Sequence, residues 1–211
     1  MKSATATMNQ LLGAITLTLL AGCSCTSRPA HFNQLAMQED AASPDVIPFL
    51  SLSRGDVLAD LGAGGGYFSV RLARAVAPEG RVYAVDIDPA ALAFIQAYSE
   101  QAGVGNVIPV RASFEASGLA EDSIDLIFIR NAYHDFRDRV AYFSRLRTVL
   151  TSGGRIAIID YDPAKLGFIR KLFGHALAEE EIIDEMTRAG YRHVAGHDFL
   201  ARQSFNIFSP K

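Results

Sequence analysis

Val57-Leu58-Ala59-Asp60-Leu61-Gly62-Ala63-Gly64-Gly65-Gly66-Tyr67 opens as a short apolar run and closes in a burst of glycine. The amphipathic segment Phe68 to Val76 follows at once. That order reads as buried strand, tight turn, helix. Glycines in such a turn allow positive φ and let a ligand approach without meeting a Cβ. The helix beyond offers unpaired N–H groups and the positive end of its dipole to an anionic group. A strand-to-helix turn can need a glycine and bind nothing. Four glycines in five positions after an acidic strand end favour a ligand loop.

The spacing narrows the ligand. Dinucleotide-binding folds use G-x-G-x-x-G, the third glycine packing helix on strand. Gly62 and Gly64 fit, but the third position is Tyr67 and the glycine stands at Gly66 instead, giving D-x-G-x-G-x-G. This resembles the first motif of class I S-adenosylmethionine (SAM) dependent methyltransferases, whose loop wraps the methionine part of SAM.

Further on, Arg81 to Asp86 reads as a second strand, and Asp86 lies about twenty residues past the loop, where a doubly wound fold places its ribose-binding acid. Ile87 follows and could lie on an adenine face. Asp88-Pro89 is a helix start, Asp88 as cap. Val107 to Arg111 is a third strand, and Pro109 suits a sheet edge. Many relatives then carry an aspartate for the adenine amino group; here Ser113 stands in its place, followed by Phe114. Ser123 to Arg130 is almost wholly apolar behind Asp125, as a central parallel strand should be. It runs into Arg130-Asn131-Ala132-Tyr133-His134-Asp135. Ligands of open α/β sheets sit at strand carboxyl ends, so this cluster faces the site. Arg139 to Leu150 reads as a helix, Gly153-Gly154 as the turn into a fifth strand ending at Asp160, and Lys165 to Ala176 as part of a lid. Ala178 to Ala189 is a helix with glutamates at its start, which suits the dipole. Tyr191 to Phe199 and Ser204 to Phe208 are a closing hairpin-like pair.

The resemblance covers about Val46 to Phe208. It implies a Rossmann-like α/β fold, a doubly wound seven-stranded sheet of order 3-2-1-4-5-7-6 with strand 7 antiparallel. It implies SAM as cofactor and methyl transfer to a small-molecule acceptor. By the same resemblance Asp60 lies near the methionine amine, Gly62, Gly64 and Gly66 make room for the methionine, and Asp86 holds the ribose. Ile87, Ser113, Phe114 and Arg130 complete the cofactor set. Tyr133, His134 and His175 are the catalytic candidates, with Asp160 beside them in the acceptor pocket; only the histidines titrate near neutrality. Tyr133 packing under the next helix and His134 acting as a cap are the alternatives.

Composition agrees with one domain and a full core: 211 residues, 49% hydrophobic. A net charge of −3 gives no nucleic-acid surface, which needs clustered Lys and Arg. Cys23 and Cys25 are the two cysteines, so neither disulfides nor a cysteine zinc or other metal site holds the fold. Ahead of the domain, Leu11 to Leu20 is an apolar run too short to span a bilayer and of signal-peptide length. Leu20-Ala21-Gly22-Cys23 resembles a bacterial lipobox. That resemblance implies a signal peptide over 1–22, acylated Cys23, a tether over 23–36 and a methyltransferase domain over 37–211. It places the protein in the cell envelope, facing the periplasm, with Ser24 pointing to the outer membrane. SAM is made in the cytosol, so the leader leaves other readings open: an unused leader, or a non-catalytic lipid-anchored SAM or nucleoside-binding domain. An NAD-type oxidoreductase is permitted by Asp86 and opposed by Tyr67.

Overall fold

The computed structural model describes residues 27–42, 45–166 and 176–211. Seven strands form one sheet: β1 (Val57–Leu61), β2 (Arg81–Asp86), β3 (Val107–Arg111), β4 (Ile124–Arg130), β5 (Leu150–Tyr161), β6 (Tyr191–His197) and β7 (Gln203–Pro210). Their order is β3-β2-β1-β4-β5-β7-β6, as the sequence leads one to expect. The pairings from β3 across to β5 are parallel, and β7 runs antiparallel to both β5 and β6. Strand order reverses between β1 and β4, the switch point at which a doubly wound sheet opens a crevice.

Strand alternation divides the core into two layers. Leu58, Leu126, Phe128, Ala157 and Ile159 face one side, where Phe68, Leu72 and Val76 of helix α2 (Tyr67–Val76) and Ile95 of helix α3 (Pro89–Gln101) cover them. Ala59, Leu61, Ile127, Ile129, Ile156 and Ile158 face the other. Phe143 of helix α4 (Arg139–Leu146) and Ile182 and Met186 of helix α5 (Glu179–Arg188) pack there. Burying each such large side chain contributes about 1.5–3 kcal/mol.

Two boundaries differ from the sequence reading. Residues 28–41 form helix α1 (Arg28–Ala41) and belong to the domain, so the tether assigned to 23–36 does not extend past residue 27. Ser27 caps that helix by accepting from the Ala30 amide at 3.4 Å, and Pro29 sits in its first turn. The polar composition of the segment hides a buried edge made of Pro29 and Asn33. The Gly153-Gly154 pair lies inside a longer β5, beside a register shift between Ile124 and Leu126. The lid expected over 165–176 falls mostly outside the described residues. Among the described residues no helix is long and apolar enough to cross a membrane.

Candidate active site

The glycine loop is pinned to the sheet before it reaches any ligand. The amides of Gly62 and Ala63 both donate to the Val85 carbonyl, at 2.9 and 3.1 Å. Gly62, Gly64 and Gly66 take φ of 81°, 56° and 77°, the left-handed region that other residues enter at a cost. A Cβ on Gly62 would also lie 2.6 Å from that of Ala132, so the loop after β1 and the loop after β4 touch. Gly65 is glycine for a different reason. A Cβ there would meet Asn33 Cβ and the Pro29 carbonyl at 2.5 Å each, because α1 lies directly on the loop.

Asp60 is 4% exposed, and its Oδ2 accepts from the Ser69 hydroxyl of α2 at 2.5 Å. Burial pushes its carboxyl up to about 7; the Ser69 bond opposes this and the neighbouring Asp86 charge adds to it. Among the described residues it forms no ion pair, so the carboxyl suits an ammonium group. Asp86 ends β2 and holds the loop with one oxygen, accepting from the Gly64 amide at 2.9 Å. The other oxygen accepts from the Asp88 amide at 2.9 Å. A carboxylate has about four acceptor positions, so two remain for hydroxyls. Ile87 beside it is 42% exposed, and Asp88 caps α3 as expected.

Helix α1 crosses the carboxyl ends of the strands. Its Asp40 pairs with Arg71 and accepts from the Tyr67 hydroxyl, while Glu39 accepts from Asn131 Nδ2 and from the Tyr161 hydroxyl. Beneath it Arg130 lies 4.5 Å over the Phe68 ring with its side chain 4% exposed. Burial lowers the Arg130 pKa, although Glu39 and Asp40 pull it back up. Asn33 Oδ1, Asp40 Oδ1 and Arg130 Nε and Nη1 are buried without hydrogen-bond partners among the described residues. Arg130 Nη1 and Asp40 Oδ1 face each other at 3.9 Å, and under-satisfied polar groups of this kind suit water or a polar ligand. Together with the three left-handed glycines, they make this cleft fit a polar, cationic amino-acid-bearing cofactor.

After β4 the chain makes a short turn, Tyr133–Asp135, that sends two side chains in different directions. His134 turns to β5. Its amide donates to Asp160 Oδ2 at 3.0 Å, and its ring Nδ1 lies 2.8 Å from Asp160 Oδ1. The Asp160 side chain is fully buried. Burial alone would lower the His134 pKa, but the bond to Asp160 and its charge outweigh burial and leave it raised. The other ring nitrogen, Nε2, lies 3.7 Å from Asp135 Oδ1. Asp160 thus emerges as the orienting partner of His134; only contact across β4 and β5 reveals it.

Tyr133 turns the other way, and this corrects its assignment to the acceptor pocket. It is 0% exposed, packs 5.0 Å from the Phe143 ring, and donates to Glu185 of α5 at 3.0 Å, with Arg139 over its ring. Burial, then Glu185, drives its hydroxyl pKa far above the ordinary range. A ring sealed between helices offers no face to a ligand. Ser113 is also engaged locally: its hydroxyl accepts from the Glu115 and Ala116 amides at 3.1 Å each, and its own amide donates to Ala116. Phe114 is 48% exposed under the Arg137 guanidinium, 4.4 Å away. His175 and Cys23 lie outside the described residues.

Fold and site define a class: a doubly wound sheet whose switch-point crevice carries a left-handed glycine loop after an acidic strand end. The methyltransferase domain family model matches residues 52–198, and the chain belongs to that family. Over 121 residues it is 27% identical to the ubiquinone/menaquinone biosynthesis C-methyltransferase of Pasteurella multocida, covering 57% of this chain and 45% of that protein. Over 112 residues it is 36% identical to the malonyl-[acyl-carrier protein] O-methyltransferase of Methylococcus capsulatus, covering 53% of this chain and 39% of that one. The chain spans less than half the length of these relatives. A SAM-dependent methyltransferase from Aquifex aeolicus has the same fold, with TM-score 0.77 at 20% identity over 85% of this chain and 97% of that one.

Proposed function

We propose that the protein transfers the methyl group of SAM to a small-molecule acceptor, and that His134 removes the acceptor's proton where one must leave. The observation that supports this most directly is the acid–glycine loop–acid arrangement of Asp60, Gly62, Gly64, Gly66 and Asp86 at the switch point of a methyltransferase-family domain. Asp60 holds the amino group of the methionine moiety. The glycine loop would give the methionine room, Asp86 would accept from the ribose hydroxyls and Ile87 would flank the adenine. Bound SAM supplies an electrophilic methyl on a cationic sulfur.

The chain's own residues do the rest. The loop after β4 touches the glycine loop through Ala132, and His134 stands two residues further along it. A base within reach of the acceptor contributes rate only if its tautomer and direction are fixed, and Asp160 fixes both. The pair also supports turnover over mere binding, since a passive pocket needs no oriented base. Much of the remaining acceleration comes from alignment of acceptor and methyl carbon.

The leader supports an envelope location, with Cys23 acylated and residues 27–211 held at the membrane surface. The test of the function needs no known acceptor at first. Titration calorimetry should show SAM binding to the purified protein, with NADH giving no heat. A screen of acceptor pools with methyl-labelled SAM then reads transfer. Binding of NADH in place of SAM would overturn the assignment. SAM binding without transfer to any pool would favour the non-catalytic reading.

A further inference from the structure

Among the described residues apolar side chains near the carboxyl ends of the strands stand half-exposed, Phe32 with one side against Gly64 of the glycine loop. Phe32 and Leu35 of α1 are each 42% exposed, and Phe114, after β3, is 48% exposed. Phe32 and Leu35 are three residues apart and share one flank of the helix. Glu39, four residues beyond Leu35 on the same flank, reaches over to Asn131 and Tyr161, so that flank borders the mouth of the site. Arg28 lies 5.3 Å over the Phe32 ring, and Arg137 lies over Phe114. Each ring therefore has a cation above it that can stay among polar headgroups while the ring enters the apolar layer.

The chain ahead of α1 says what this rim meets. Four residues lie between Cys23 and Arg28, and the five steps fully extended reach at most about 18 Å. A domain of this size is roughly 40 Å across. With Cys23 anchored, α1 stays on the membrane side of the domain.

We propose that the Phe32–Leu35 flank of α1 is a bilayer-contact face that seats the mouth of the site on the membrane surface. This rests on the anchored reading of the leader and adds to it an orientation. Asp135 is 71% exposed near Arg137, and Glu115 and Asp138 are exposed beside it, so the rim has no net positive field. Contact is by apolar insertion and survives salt.

The chain contains no tryptophan, which makes a clean experiment possible. Full-length Leu35→Trp and Val194→Trp variants each carry a single reporter; Val194 lies on the edge strand β6 and is 48% exposed. Both are mixed with phosphatidylethanolamine–phosphatidylglycerol vesicles bearing brominated acyl chains, at low and high salt. Both variants should pellet with the vesicles. Emission of the Leu35→Trp variant should shift to the blue and be quenched several-fold more than that of Val194→Trp, at both salt concentrations. Equal quenching in two pelleting variants would overturn the orientation and leave the anchor standing. Failure of both to pellet would overturn the anchor and the proposal with it. Arg28 and Arg137 being responsible instead would be shown by a blue shift lost at high salt, which also overturns insertion.

Discussion

Asp60 and Asp86 sit a few ångströms from the same loop and obey different physics. The Asp60 carboxyl is pushed up to about 7, chiefly by burial. An ammonium group binds the ionised form, so SAM affinity should fall as pH is lowered through about 7. Calorimetry from pH 6 to 8 should show this, and Asp60→Asn should flatten the dependence while weakening binding. The sign on stability is the reverse of a salt-bridged acid. Between the ordinary 3.8 and about 7 the folded state holds more protons than the unfolded one, so ionising Asp60 costs stability as pH rises. Asp86 already accepts two backbone N–H bonds, and a bond to a charged group contributes roughly 1.5–3 kcal/mol. Asp86→Ala should weaken SAM by about one to two decades, and unchanged affinity in a folded variant would remove it from the site. His134 shares the sign of Asp60 for a different reason, because its charged form is the one the fold favours. Its raised pKa means the Asp160 pair stabilises fully below about 6.5, and that stabilisation is lost as pH climbs through the folded value. As a base it acts only above that value. NMR titration should place His134 above the ordinary histidine range, and Asp160→Asn should move it down.

At the scale of elements, α1 is the piece whose role the site depends on. It lies on Gly65 with no spare room, tied down by Asp40 to Arg71 and Tyr67 and by Glu39 to Asn131 and Tyr161. Gly65→Ala would drive a methyl into Asn33 and the Pro29 carbonyl, and a backbone oxygen cannot rotate away. Overpacking of this kind costs about 1–3 kcal/mol. The expected result is a lower denaturation midpoint and faster proteolytic cutting within 28–41, with the sheet intact by circular dichroism. Wild-type proteolysis of α1 in that variant would show that the helix is not seated on the loop. The turn after β4 is held from both sides in a similar way. Tyr133 ties it to α5 through Glu185, and His134 ties it to β5 through Asp160, so a structural tyrosine supports the direction of its neighbour.

For the whole molecule, the crevice joins elements from both halves of the sheet, so its ligand should stabilise the global fold. At one hundred times its Kd a ligand specific for the native state adds about 2.7 kcal/mol. For a domain this size that raises Tm by roughly 5–10 °C. Thermal denaturation with and without SAM checks this, and no shift at saturation would contradict binding at the switch point. The leader makes a separate prediction at the same scale. Wild-type protein should partition with membranes and detergent, and Cys23→Ser should remove the lipid and block maturation. Native protein found soluble with residues 1–22 intact would refute the anchor.

The sequence by itself determined the strand, glycine turn and helix at the head of the domain, because those features are local, while the sheet order followed from resemblance to a family. A buried strand ending in an acid, a run of glycines and an amphipathic helix act through backbone conformation, and neighbours along the chain dictate that. Asp86 was legible for the same reason, as the last residue of the next strand. Helix α1 was legible in part: Ser27 and Pro29 are start signals, but its polar composition disguised a helix that buries only Pro29 and Asn33 against the loop. What the tertiary structure alone decided is the far end of the site. Tyr133 and His134 are adjacent in sequence and equivalent by composition. Which one packs under α5 and which one pairs with Asp160 depends on the turn Tyr133–Asp135 meeting both partners, across 52 and 26 residues of chain. Side-chain direction in a short turn is set by the partners it finds at a distance, and no local pattern encodes those partners.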